Sequence, residues 1–156
     1  MKKLTAVCLL LALLLSGCGG REPERGFLFP YAGVTIAMDQ EAGPVLYRLG
    51  APLDCSQNPS PTQPGMDTVY HHEGFGAGTY PCGSAEHFCR LWFTDGSVTT
   101  AEGIGLGSSR EAVALAYGCG AEGDILILEK GNTRLAIGFT SDRVTSVEYA
   151  LIGAEG

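Results

Sequence analysis

Cationic residues are scarce. The 156-residue chain carries 10 Lys and Arg against 17 Asp and Glu, a formal charge of −7. Two of its few lysines, Lys2 and Lys3, stand at the extreme N-terminus. A chain this poor in cations has little with which to neutralise phosphates, so nucleic acid is excluded as a partner. No Cys-x-x-Cys pair is present to mark a zinc or redox motif. No glycine loop ending in lysine offers to cradle a phosphate. The carboxylates are scattered, with no spacing that fixes two of them together for acid–base work. The longest apolar run, residues 4–15, is too short for a comfortable membrane-spanning helix. Nothing in this inventory implies a cofactor.

What is there begins with an address. Lys2 and Lys3 precede the apolar run, and small residues follow it, which is the layout of a secretory signal. Leu15-Ser16-Gly17-Cys18 resembles the lipobox of bacterial lipoproteins residue for residue. The resemblance implies cleavage before Cys18 and acylation of its sulfur, leaving residues 1–17 as signal peptide. Loss of Lys2 and Lys3 lowers the basic count from 10 to 8 and takes the mature charge to −9. Anionic lipid would repel such a chain, so the anchor and not surface charge must hold it to the membrane, on the extracytoplasmic face. Residues 18–26 lack apolar periodicity and read as a tether.

Residues 27–152 read as one domain with a core. The expected class is α+β: strand, short helix and antiparallel β-meander, given twice, over residues 27–100 and 101–152, with helices packed on the sheet. The organising stretch is Gly103-Ile-Gly-Leu-Gly-Ser-Ser-Arg-Glu-Ala-Val-Ala-Leu-Ala-Tyr-Gly118. Ser108 and Glu111 form a capping-box pattern. Val113, Ala116 and Tyr117 give an apolar stripe, and Gly118 can end a helix in the left-handed region. Ile104 and Leu106, alternating with bare glycines, suggest a strand that another backbone approaches closely.

The first unit follows the same plan. Residues 27–29 and 34–38 predict strands broken at Pro30. Asp39 is the expected cap of a helix running to Leu49, with Val45, Leu46 and Leu49 inward and Gly50 as its stop. Pro44 requires that helix to be short or to start late. Residues 51–65, with four prolines, predict a long irregular loop. Residues 67–80 predict a bent strand and residues 87–94 another, with Asp95-Gly96 as a hairpin turn and a return strand from Ser97 onward. Residues 124–130, 133–140 and 144–151 predict the last three strands. Laying residues 89–100 on 135–146 matches Phe93, Thr94, Val98 and Thr99 to Phe139, Thr140, Val144 and Thr145, and sets Cys89 on Leu135.

This layout resembles the small α+β lipoproteins grouped with the β-lactamase inhibitor protein and the SmpA/OmlA lipoproteins of outer-membrane assembly. It resembles uncharacterised bacterial lipoproteins more closely still. The likeness rests on the stretch from Gly103 to Gly118 and the meander after it. It implies a noncatalytic binding fold, admits an enzyme inhibitor by analogy, and transfers no active site.

Four cysteines remain for the domain: Cys55, Cys82, Cys89 and Cys119. An even count outside the cytoplasm predicts disulfides, in any of three pairings. The match of Cys89 to Leu135 turns its side chain inward. A zinc site is the alternative, with His87 and Cys89 on one strand face and Cys82, His71 or His72 completing it. A hydrolytic alternative would pair Cys82 with His87. The preferred reading is a protein- or peptide-docking face. If Cys89, Leu91 and Phe93 point inward, Phe88, Arg90 and Trp92 point outward, an aromatic–arginine stripe of interface composition. Tyr70 and His72 are expected beside it on the neighbouring strand.

Overall fold

The structure, a computed structural model, describes residues 26–61 and 63–153. Cys18, the signal segment 1–17 and the tether up to residue 25 lie outside the described residues.

The fold is α+β. A two-stranded hairpin, β1 (Leu28–Tyr31) and β2 (Val34–Ala37), leads into helix α1 (Ala42–Leu49). A four-stranded meander follows: β3 (Asp54–Pro59), β4 (Met66–His72), β5 (Phe75–Cys82) and β6 (Ala85–Phe93). Helix α2 (Arg110–Tyr117) precedes a three-stranded meander of β7 (Ile125–Lys130), β8 (Thr133–Thr140) and β9 (Arg143–Leu151). The meanders join into one antiparallel sheet of order β3-β4-β5-β6-β9-β8-β7. Their last strands meet at its centre, Leu91 opposite Tyr149. Among the described residues no helix is long and apolar enough to cross a membrane.

Turn chemistry explains the meanders. β8 and β9 are joined by Ser141-Asp142, both at positive φ (49° and 60°), the twist that suits a two-residue hairpin. Gly131 (φ 54°) and Gly74 (φ 82°) serve the β7–β8 and β4–β5 turns. Both helices end as their sequences predict. Gly118 is left-handed (φ 63°, ψ 30°), and its N–H returns to the Ala114 carbonyl. Gly50 donates to the Leu46 carbonyl. Val45 and Val113 are buried, with Leu46, Leu49, Ala116 and Tyr117 packed against the core.

Several expectations are corrected. Pro30 does not break the first strand; it sits within β1 opposite Thr35, in a two-stranded edge that tolerates a missing donor. The loop at 51–65 contains β3, whose six residues are all exposed, so no periodicity announced it. Residues 67–80 form two strands and a turn, not one bent strand. After β6 no return strand forms, so the superposition of residues 89–100 on the β8–β9 hairpin is not confirmed. Residues 103–106 are loop, held by Thr100 N–H to the Ile104 carbonyl at 2.7 Å. The close approach expected at the glycines is found there: a Cβ on Gly105 would lie 2.7 Å from the Val98 carbonyl oxygen. Ser109, not Ser108, caps α2, accepting from Ala112 N–H at 3.1 Å. Ser108 accepts from Gly105 N–H instead. Glu41, not Asp39, flanks the start of α1, which begins late enough to put Pro44 in the first turn.

Two register shifts decide which side chains face inward. Opposite Gly78-Thr79, β6 holds an extra residue, Cys89, because Gly78 faces Arg90 and Thr79 faces Phe88. Opposite Gly138-Phe139, β9 holds an extra residue, Thr145. An extra residue resets the alternation of a strand. Phe88 and Leu91 are therefore both fully buried, as are Val144 and Val147.

The core lies on one face of the sheet, beneath the β1–β2 hairpin and the helices. Phe29 is its hub, with ring centroids of Phe75 at 5.1 Å, Phe93 at 5.4 Å, and Tyr31 and Tyr149 at 6.1 Å. Arg110, at the head of α2, gathers the second meander. It donates to the Ala121 and Gly123 carbonyls at 2.6 Å, pairs with Asp142 at 2.8 Å, and lies 4.2 Å over the Phe139 ring.

Candidate functional site

The sheet has an outer face, opposite the core. Odd and even positions assign it: Leu91 and Phe93 are buried inward, so Arg90 and Trp92 point outward. Arg90 donates to Glu148 Oε2 at 2.7 Å and lies 5.3 Å from the Trp92 ring centroid. Its guanidinium is held in the charged form by the Glu148 hydrogen bond. His71 meets Trp92 edge-on at 5.9 Å. Trp92 lies across Gly76, where a Cβ would run into its six-membered ring. Glycine thus gives the indole a flat bed on the sheet.

Beside this group a groove of ≈390 Å³ crosses the outer face. Gly138, Ala136 and Ser146 are among its lining residues, with Trp92, Ile125 and Glu148 around them. The small residues leave a depression; the large ones frame it. Ile125 and Ile127 stand 62% and 57% exposed on the adjoining strand β7.

The structure divides the residues singled out in the sequence. Arg90 and Trp92 come together on the outer face. Phe88 does not join them: the extra residue at Cys89 turns it into the core. Tyr70 and His72 sit on the core side of β4. Tyr70 donates to Glu86 Oε2 at 2.8 Å; burial, reinforced by that carboxylate, pushes its hydroxyl up to about 12. His72 is 8% exposed and stacks on Phe75 at 5.2 Å.

His72 carries a pH prediction. Burial lowers its pKa below the ordinary value, and among the described residues Nε2 has no partner. The folded state thus disfavours the protonated ring. Stability is full above the unfolded pKa, about 6.5, and falls as the pH drops below it, by up to about 1.4 kcal/mol per unit until the folded pKa is reached. Urea unfolding between pH 7.5 and 5 should show this slope, and His72→Gln should reduce it. An unchanged slope in the variant would assign it to other groups.

The cysteines are unbonded: Cys55 and Cys82 exposed, Cys89 and Cys119 half-buried. Strand geometry keeps two of them apart. Cys55 pairs with Tyr70 on the core side of an edge strand. Cys82 lies opposite Ala85, four residues along β6 from Cys89, or about 13 Å. A disulfide requires Cα atoms within about 7 Å. Cys89 faces outward, not inward as expected, with its thiol toward the Gly78 carbonyl at 3.5 Å. Burial and then the Asp67 charge push that thiol up to about 11, so it is not a thiolate at neutral pH.

A separate trio gathers at the other end of β6. Tyr80 donates to Asp39 Oδ1 at 2.5 Å, and His87 Nδ1 lies 2.8 Å from the Asp39 carbonyl oxygen and 3.3 Å from Oδ1. Asp39 adopts φ 64° to reach them, which is why it does not cap α1. It orients the histidine of the hydrolytic alternative. Cys82 stands diagonally from His87 across the ladder, and among the described residues no hydrogen bond joins the two. Among the described residues no three His, Cys, Asp or Glu side chains converge to hold a metal ion.

Sequence reasoning missed Ile125, Ile127, Glu148 and the Asp39 contacts. Ile125-Leu-Ile-Leu128 was the available signal. Such a run is apolar on both faces of its strand, more than a half-buried strand requires. No family model, curated protein or solved structure matches the chain.

Proposed function

We propose that this chain is a lipid-anchored, extracytoplasmic binding protein that captures a protein or peptide on the outer face of its sheet. The carrying observation is the Trp92–Arg90–Glu148 group beside a groove framed by small residues. A partly buried indole stiffened by glycine and arginine contacts offers apolar area at little entropic cost, as interface anchors do. Arg90 and Glu148 add a charge pair of both signs, a rim that orients a partner. The lipobox-like Leu15-Ser16-Gly17-Cys18 supports the anchor. The matched extra residues at Cys89 and Thr145 support a kinship between the two meanders, in a register other than the one read from the sequence.

The test is site-specific photo-crosslinking in intact cells. A crosslinking residue at Ala136, in the groove, should give a defined adduct; one at Tyr47, 89% exposed on α1, should not. Trp92→Ala should reduce the Ala136 adduct at least tenfold while the circular dichroism spectrum is kept. An adduct at Tyr47 alone, or one at Ala136 indifferent to Trp92→Ala and Arg90→Glu, would refute the docking face.

A further inference from the structure

The sheet has two edges, and they are built differently. The β3 edge is Asp54-Cys-Ser-Gln-Asn-Pro59, polar, exposed and closed by proline. Those features blunt an edge against pairing. The β7 edge is Ile125-Leu-Ile-Leu-Glu-Lys130, six residues with no proline or register shift, and paired only to β8 among the described residues. Its outward isoleucines are more than half exposed.

The hydrogen-bond phase of β7 is fixed. Phe139 N–H donates to the Asp124 carbonyl at 2.8 Å, and the β7–β8 register continues unbroken from Ile125 opposite Gly138 to Lys130 opposite Thr133. In an antiparallel pair, bonded positions alternate. The even residues of β7 therefore bond β8, and Ile125, Ile127 and Glu129 direct their N–H and C=O groups to the free edge.

We propose that the occupant of this edge is a second copy of the chain, pairing β7 with β7 antiparallel about a two-fold axis at Ile127. Three features converge on that register. It sets Ile127 opposite Ile127 and Ile125 opposite Glu129, so each residue with free backbone groups meets another with free groups. It sets outward residues against outward and Leu126 against Leu128, so both copies present the same face. It also sets Asp124 opposite Lys130 twice, once on each side of the axis. Neither has an ion-pair partner among the described residues. A shift of two residues either way loses that charge match and shortens the ladder. The contact is isologous and closes on itself, so it yields a dimer and not a fibre. It does not depend on what occupies the outer face.

Sedimentation velocity of the full chain in mild detergent tests it. The wild type should sediment as a dimer at micromolar concentration. Ile127→Lys, which puts like charges on the axis, should make it monomeric with its circular dichroism spectrum unchanged. Asp124→Lys or Lys130→Asp alone should weaken association about tenfold, since each change places like charges opposite twice. The double swap should restore it. A monomeric wild type at 100 μM would overturn the proposal, as would a dimer indifferent to Ile127→Lys or a double swap no better than the singles. A monomer that instead takes up an extended peptide at β7 would assign the edge to a foreign strand, and equally overturn it.

Discussion

Phe29→Ala is expected to cost the fold about 3–5 kcal/mol, the range for deleting a large buried aromatic. The side chain is fully buried and touches rings from both sheets: Tyr31 of the hairpin, and Phe75, Phe93 and Tyr149 of β5, β6 and β9. Its loss opens a cavity where the small hairpin rests on the large sheet. Domains of this size hold about 5–15 kcal/mol in total, so the variant should sit near the limit of stability. The midpoint of urea unfolding, followed through the lone tryptophan, reads the effect. Tyr47→Ala, at an 89% exposed site, is the control and should change stability by less than about 0.5 kcal/mol. A loss below about 1 kcal/mol for Phe29→Ala would show that the hairpin is not part of the cooperative unit.

The second large effect is polar. Glu86 accepts from three hydroxyls: Thr68 at 3.2 Å, Tyr70 at 2.8 Å and Thr79 at 3.1 Å. Thr68 and Thr79 are almost wholly buried. Glu86→Ala removes one acceptor group and strands three donors at once. Thr79 can fall back on the Thr68 carbonyl at 3.3 Å. The expected loss is about 2–3 kcal/mol, because removing one partner of a buried hydrogen bond costs more than the bond's net worth. Glu86→Gln should recover at least half, since its carbonyl oxygen still accepts. If Glu86→Gln were as damaging as Glu86→Ala, the charge and not the acceptor geometry would be what the hydroxyls require.

Where local chemistry decides structure, the chain was legible. β7, β8 and β9 were read close to their true limits because two-residue turns separate them. The ends of both helices were read from Gly50 and Gly118. The failures share a cause. β3 is an exposed polar edge; it buries nothing, so its sequence carries no periodicity and only pairing with β4 makes it a strand. The extra residue at Cys89 is invisible because any residue type can occupy it, yet it moves Phe88 from the surface to the core. Of the five candidate residues, Phe88 followed that error. Arg90 and Trp92 survived it because they lie beyond the extra residue, where the phase assumed from Leu91 and Phe93 holds. Tyr70 and His72 were assigned by adjacency alone, and a neighbouring strand fixes a residue's face only once its register is known.

The point of entry into the fold has a geometric consequence. Gly26 is buried beside Thr133 and Asn132, where a Cβ would run into the threonine hydroxyl. The polypeptide therefore arrives at the β7–β8 turn. β8 runs from there for eight residues, roughly 25 Å, to the turn where Asp142 meets Arg110. A leash upstream of Gly26 would join the molecule at one corner, beside the Gly131-Asn132 bend, with the head of α2 a strand's length away.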